Sequence, residues 1–169
     1  RKAADYLARL DVLDAALTNA APATVADAGA RLEALRREAL LANPLLDFDR
    51  LLVVRRSTRM MGLPANWQGN SSLPRTGYSN EIAVLSPVRP GGRLSTVWRP
   101  EGGRFAGDVD LAFDADRILF SMPGASGRWG IHEMALDGSP PRELPLIAEP
   151  DVDSYDACYL PDGRIIFTS

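Results

Sequence analysis

Residues 108–122 read DVDLAFDADRILFSM, and residues 151–169 read DVDSYDACYLPDGRIIFTS. Each opens on Asp-Val-Asp, passes an Asp-containing turn and meets an arginine, Arg117 or Arg164. An apolar triplet follows each arginine. A third copy, DFDRLLVVRRS at 47–57, sets Arg50 before its own triplet, so the arginines recur after 67 and 47 residues. A polar turn followed by a short β-branched or apolar run reads as a turn feeding a buried strand. Two further stretches complete the unit. NEIAVLSPVRPGG (80–92) and WGIHEMALDGSPPREL (129–144) each give a strand, a Pro/Gly turn and another strand. Asp137-Gly138 supplies the second turn, since glycine accepts positive φ without steric cost.

The order is strand, Asp turn, apolar strand, loop, strand, turn, strand. Four antiparallel strands repeated every ~40–50 residues are the pattern of a β-propeller. The fold class expected is therefore mainly β: an N-terminal α-hairpin, then the first two to three four-stranded blades. Blades are expected at about 45–100, 108–146 and 151–169, within a domain spanning 44–169. The last holds only two strands, whereas propellers close with about four to eight blades. Its final strand would leave an apolar edge unpaired, which native proteins avoid. The chain is thus expected to be a fragment of a longer protein.

Residues 1–43 differ in character, being rich in Ala, Leu, Arg, Asp and Glu. Tyr6, Leu10, Leu13 and Leu17 form one stripe at helical spacing, and Val25, Ala28, Leu32, Leu35 and Ala39 a second after a break at Pro22. The pattern predicts a helical hairpin with a turn around residues 19–23. Thr24 with Asp27 resembles a capping box, and Asn43-Pro44 stops the second helix. The hairpin reads as a packing arm or linker. A partner-binding or membrane-lying helix is the alternative, and neither stripe is aromatic or basic enough to favour it.

The 169 residues are 46% hydrophobic and 24% charged, with a formal net charge of -3. That balance argues against a nucleic-acid binder, which needs a basic surface to neutralise phosphates. No run of ~18 apolar residues is long enough to cross a bilayer. The chain begins with Arg1, so the lack of a signal peptide carries no weight. Cys158 is the single cysteine and His132 the single histidine. No CxxC, CxxCH or two-imidazole site can be built from them.

Blades of this kind, with the I-x-E-M-x-x-D-G strand of residues 131–138, resemble the PD40 repeats of TolB-like propellers. The closer resemblance is to the middle-domain family of the hydrazine synthase alpha subunit. It is carried by NPLLDFDRLLVV (43–54), NWQGN (66–70), NEIAVLSPV (80–88), GDVDLAFDADRILFSMPG (107–124) and DVDSYDACYLPDGRIIFTS (151–169). It covers about three quarters of the chain. The resemblance implies a propeller domain in a large extracytoplasmic, periplasmic bacterial protein, whose partners are other domains of the same polypeptide. It also implies that any c-type haem sits in flanking domains, because this chain has no attachment site. Fold alone does not carry activity.

The candidate site residues follow from their types. Asp151, Asp153 and Asp156 form DxDxxD, oxygen-rich spacing able to hold a hard cation, though without the glycine and glutamate of an EF-hand. Asp108 and Asp110 repeat the first half of that pattern. This repetition suggests either a structural task, accepting backbone N–H groups, or a ring lining a propeller channel. Cys158 aligns with Leu111 in the gapless repeat and reads as a buried thiol, with a disulfide to a cysteine elsewhere as runner-up. His132 is a lone strand histidine. Glu133, on the opposite face, cannot orient it as a general base. The segment from Arg55 to Ser79 is a long irregular insertion, and such loops are commonly functional. Its Asn66, Trp67, Gln68 and Asn70 make the best recognition surface.

The leading expectation is a non-catalytic scaffold or binding module. The rivals are part of a haem-dependent redox enzyme whose catalytic residues lie outside this chain, and a TolB-like protein-docking platform.

Overall fold

The computed structural model describes residues 2–18, 21–147 and 149–169. Contacts divide the chain into two units, Arg1–Asp49 with Pro87–Gly91, and Arg50–Ser86 with Gly92–Ser169.

The first unit carries helices α1 (Lys2–Leu17) and α2 (Pro22–Leu41). Two helices share a single seam, so only part of each stripe is covered. Leu13, Ala28 and Leu35 are buried, while Leu10, Leu32 and Val25 stay exposed. Arg9 clasps Glu38 through two hydrogen bonds of 2.8 and 2.7 Å on the solvent side. The predicted capping box does not form. Helix α2 starts at Pro22, with Ala21 as an N-cap that makes no side-chain bond. Proline suits the first helical position, where its missing N–H has no partner to lose and its φ is already helical. Thr24 is therefore inside the helix. The predicted turn at 19–23 falls partly on residues 19 and 20, outside the described residues. The helix ends with Ala42 as its C-cap. Asn43 then caps a short 3₁₀ turn, Pro44–Leu46, its side chain accepting the Leu45 N–H at 3.0 Å.

The second unit is built from antiparallel sheets, so the protein is mainly β, with a two-helix hairpin preceding the sheets in sequence. The first sheet runs β1 (Leu51–Arg56), β2 (Asn80–Ser86), β3 (Arg93–Trp98). The second runs β4 (Gly107–Leu111), β5 (Arg117–Pro123), β6 (Trp129–Ala135), β7 (Arg142–Glu143). The third holds β8 (Tyr155–Tyr159) and β9 (Ile165–Thr168). The three arginines mark the same place in each: Arg117 opens β5, and Arg50 and Arg164 stand just before β1 and β9.

Strand β5 explains the apolar triplets. Ile118, Phe120 and Met122 pack with Ile82, Ala106 and Met134, with Leu52, Val97 and Trp98 against them. Leu119, on the other face, packs with Ala112, Ile131, Ala157 and Tyr159, with Ile165 and Phe167 against them. The second sheet is covered on both faces, and a strand in that position reads as a continuous apolar run. Phe120 is fully buried, and truncating such a ring to alanine costs about 3–5 kcal/mol.

Two sequence expectations are corrected here. The first sheet has three strands among the described residues, not four. Residues 44–46, expected to open the unit, are held as a 3₁₀ turn by Asn43 and Pro44 and group with the helices. The repeat alignment also shifts. Gly107 pairs with Ser121 and Asp110 with Leu119, while Tyr155 pairs with Thr168 and Cys158 with Ile166. Asp108 therefore corresponds to Asp156 rather than Asp151, and Cys158 to Asp110 rather than Leu111. A turn one residue shorter in the third sheet, LPDG (160–163) against AFDAD (112–116), moves Cys158 by one place in an alignment on the arginines, and the two Asp-Val-Asp segments stand five residues out of step.

Both first strands carry a bulge at the same register, and Asp108 and Asp156 sit in it at φ +49 and +57. Of the bulge types, the one with a left-handed residue usually places glycine there. After glycine, Asp and Asn enter that region most readily.

Candidate functional site

The loop between β1 and β2 closes on a backbone bond from the Ser57 N–H to the Ser79 carbonyl, 3.2 Å. Within it, Asn70–Ser72 form a 3₁₀ turn. Asn70 is only 6% exposed. Its side-chain amide donates to the Asp108 carboxylate in the bulge of β4. Gly69 lies against Tyr155 at the start of β8, where any Cβ would collide with the tyrosine hydroxyl. The structure thus joins two groups that the sequence left apart, the NWQGN loop and the first Asp of DVD.

Beneath the loop lies an aromatic cluster. Phe105 meets Tyr78 edge-on at 5.3 Å and Trp129 at 5.0 Å between ring centroids. The Arg56 guanidinium sits over the same ring, its Cζ 4.7 Å from the centroid. Arg56 Nη1 donates to the carbonyls of Met61 (2.7 Å) and Gly62 (3.2 Å), and Nη2 to that of Ala106 (3.2 Å). Burial lowers the Arg56 pKa and Asp108 opposes the shift. A guanidinium remains charged throughout the working range. Burial raises the Tyr78 pKa, so its hydroxyl stays protonated. Gly107 has no Cβ because the Arg56 guanidinium and the Phe105 ring occupy that space. Arg56 thereby ties β1, the loop and the lead into β4 together. The only sequence signal of this role is the Arg55-Arg56 pair at the end of an apolar strand.

At the loop's tip stand Asn66, Trp67 and Gln68, all exposed. The Gln68 N–H bonds back to the Ala65 carbonyl at 3.0 Å. Trp67 is 93% exposed and holds φ +58. A bulky side chain in the left-handed region is an outlier, and such conformations cost about 1–3 kcal/mol. The anchored base therefore carries a strained tip that projects an indole into solvent.

The aspartates of the repeat do three different things. Asp110 Oδ2 accepts the Tyr159 N–H at 2.9 Å, and Asp153 Oδ1 accepts the Trp129 N–H at 3.0 Å. Both link one sheet to the next. Asp156 is exposed in its bulge, its own N–H donating to Ser121 Oγ at 2.9 Å. Asp151 is exposed in the preceding turn. Asp151, Asp153 and Asp156 are not brought together: no group of three or more His, Cys, Asp or Glu side chains converges among the described residues. Cys158 is a half-buried free thiol.

His132 is buried and stacked on Phe120, with Nδ1 3.3 Å from the Gly130 carbonyl. Burial lowers its pKa, and Glu143 on β7, 3.9 Å from Nε2, partly offsets this. Glu133 faces the other way. It accepts from Tyr159 Oη at 3.0 Å and from Arg142 Nη2 at 2.5 Å. Glu143, the one carboxylate near the imidazole, was invisible to sequence because it lies on a two-residue strand. These arrangements stack, hydrogen-bond and hold charge.

No protein-family model matches this chain, and no curated protein matches it. No helix among the described residues is long and apolar enough to cross a membrane.

Proposed function

We propose that this chain is part of a β-propeller resembling the TolB-like middle domain of the hydrazine synthase alpha subunit, and that it works as a non-catalytic binding module. Repeated joints between successive sheets support the propeller reading. The residues just before β4 and β8 are held by the opening residues of β2 and β6. Asn80 Oδ1 accepts the Ala106 N–H at 2.8 Å, and the Trp129 carbonyl accepts the Ser154 N–H at 2.9 Å. The resemblance supports an extracytoplasmic setting, with any c-type haem held in flanking domains.

Trp67 carries the binding reading. A strained, solvent-facing indole on a loop whose base is fastened by Asn70 to Asp108 is poor economy for stability and well suited to contact. Aromatic anchors of this kind dominate protein interfaces. A protein partner is therefore the occupant proposed for this surface. The test places a photo-crosslinking residue at position 67 in the protein in its native host, with a matched substitution at the exposed Ala125 as control. A discrete adduct at 67, suppressed by excess unmodified protein, is expected. Equal labelling at both positions, or none at 67, would remove the proposal.

A further inference from the structure

We infer that the free edge of β1 is a built acceptor for one extended strand from outside this chain, with an aspartate two residues before an apolar side chain. The second and third sheets each carry a first strand, β4 on β5 and β8 on β9. Strand β1 stands where β5 and β9 stand, and among the described residues nothing pairs with its other side.

The register identifies which groups are on offer. Ser57 and Ser79 form a hydrogen-bonded pair. Antiparallel pairs alternate, and β1 is in continuous register with β2 from Leu51↔Leu85 to Arg56↔Asn80. The backbone groups of Leu52 and Val54 therefore point away from β2. Counting from the arginines, these residues correspond to Leu119 and Ser121, the ones opposite Asp110 and Gly107 of β4.

The neighbouring sheet offers a second contact. Asp110 of β4 takes the N–H of Tyr159 in the next sheet's first strand. Leu111 corresponds to Tyr159, since each pairs with the residue just after its arginine, Ile118 or Ile165. The Ala112 N–H bonds to the Arg117 carbonyl, so by alternation the Leu111 N–H points away from β5. An aspartate on a strand added to β1 is placed to accept it.

The space beside this edge fits such an occupant. A groove of about 390 Å³ is lined by Leu52, Val84, Leu111 and Leu136, with Arg50 and Asp116 at its rim. Ala112, two residues beyond Asp110, fills the matching position between the second and third sheets. On an added strand, the side chain two beyond the aspartate enters the groove, and the Arg50 guanidinium favours the carboxylate. Main-chain bonds supply affinity in strand addition, and alternate side chains supply specificity.

The choice of edge rests on reading the sheets as repeats of one unit, and the test separates the two ideas. The probe is a synthetic peptide with the sequence FAGDVDLAFD, residues 105–114, added to the full 169-residue chain while amide hydrogen exchange is followed. At ten times its dissociation constant, exchange at Leu52, Val54 and Leu111 should slow about elevenfold, the reciprocal of the unbound fraction. A peptide with leucine in place of its second aspartate should lose the protection at Leu111 and bind at least tenfold more weakly. Unchanged exchange at Leu52 and Val54, or protection only at the outer strands β3, β7 or β9, would overturn the inference. Such failure leaves the repeat untouched, because the repeat rests on the bulges of β4 and β8.

Discussion

The bond between Asn70 and Asp108 is the hinge on which loop and sheet meet, and a double-mutant cycle measures it. Asn70 is 6% exposed and its amide donates to the Asp108 carboxylate. Hydrogen bonds to charged groups contribute about 1.5–3 kcal/mol. Asn70→Ala should lower stability by about that much. Asp108→Ala should cost more, because alanine keeps the φ of +49 and pays about 1–2 kcal/mol for it. Asp108→Gly loses the same bond but adopts that φ freely, so it should be the milder change by about 1–2 kcal/mol. The double variant Asn70→Ala/Asp108→Ala should fall short of additivity by roughly 1.5 kcal/mol, as for contacting residues. Urea unfolding followed by tryptophan fluorescence reads these differences, since Trp129 is only 2% exposed in the fold. Additive single effects, within about 0.5 kcal/mol, would refute the idea that this bond anchors the loop. An Asp108→Gly variant no more stable than Asp108→Ala would refute the backbone argument.

Other outcomes follow from the same structure. His132 titrates below its ordinary value in the fold because it is buried, so the unfolded chain binds its proton first. Its contribution is then fully present above about pH 6.5 and is lost as pH falls from there toward the folded value, with a slope of at most about 1.4 kcal/mol per pH unit. His132→Phe should flatten that slope in urea titrations between pH 7.5 and 5, and an unchanged slope would assign it elsewhere. Gly69→Ala should destabilise by about 1–3 kcal/mol through overpacking, and Tyr155→Phe should recover part of the loss by removing the oxygen that its Cβ meets. Phe120→Ala should lower stability by about 3–5 kcal/mol. Trp67→Ala should leave stability unchanged or raise it, since a 93% exposed side chain has little burial to lose.

The strands were legible because their chemistry is local. The apolar triplets after Arg50, Arg117 and Arg164, and the Asp137-Gly138 turn, announce themselves by residue type. What escaped depended on pairing at a distance. A one-residue difference between the turns 112–116 and 160–163 moves Cys158 into Asp110's place, and the matching Asp-Val-Asp segments are five residues out of step, so that Asp156 stands where Asp108 does; only the register reveals either. By sequence Asn70 belongs with the recognition surface of its loop, yet Asp108 draws it inward. Glu143 gave no signal, for Arg142–Glu143 is too short to show alternation. In the sequence Pro22 reads as a break, although proline at a helix's first position begins it as readily as it ends the preceding one.

The claim beneath the rest is that β4 and β8 are the same element written twice. Backbone NMR of the chain tests it most directly, through the φ-sensitive couplings of Asp108 and Asp156 and the cross-strand contacts beside them. The account predicts both aspartates in the left-handed region, Gly107 opposite Ser121 and Tyr155 opposite Thr168. Either aspartate in an extended conformation, or a register in which Asp151 rather than Asp156 faces the position of Asp108, would contradict it.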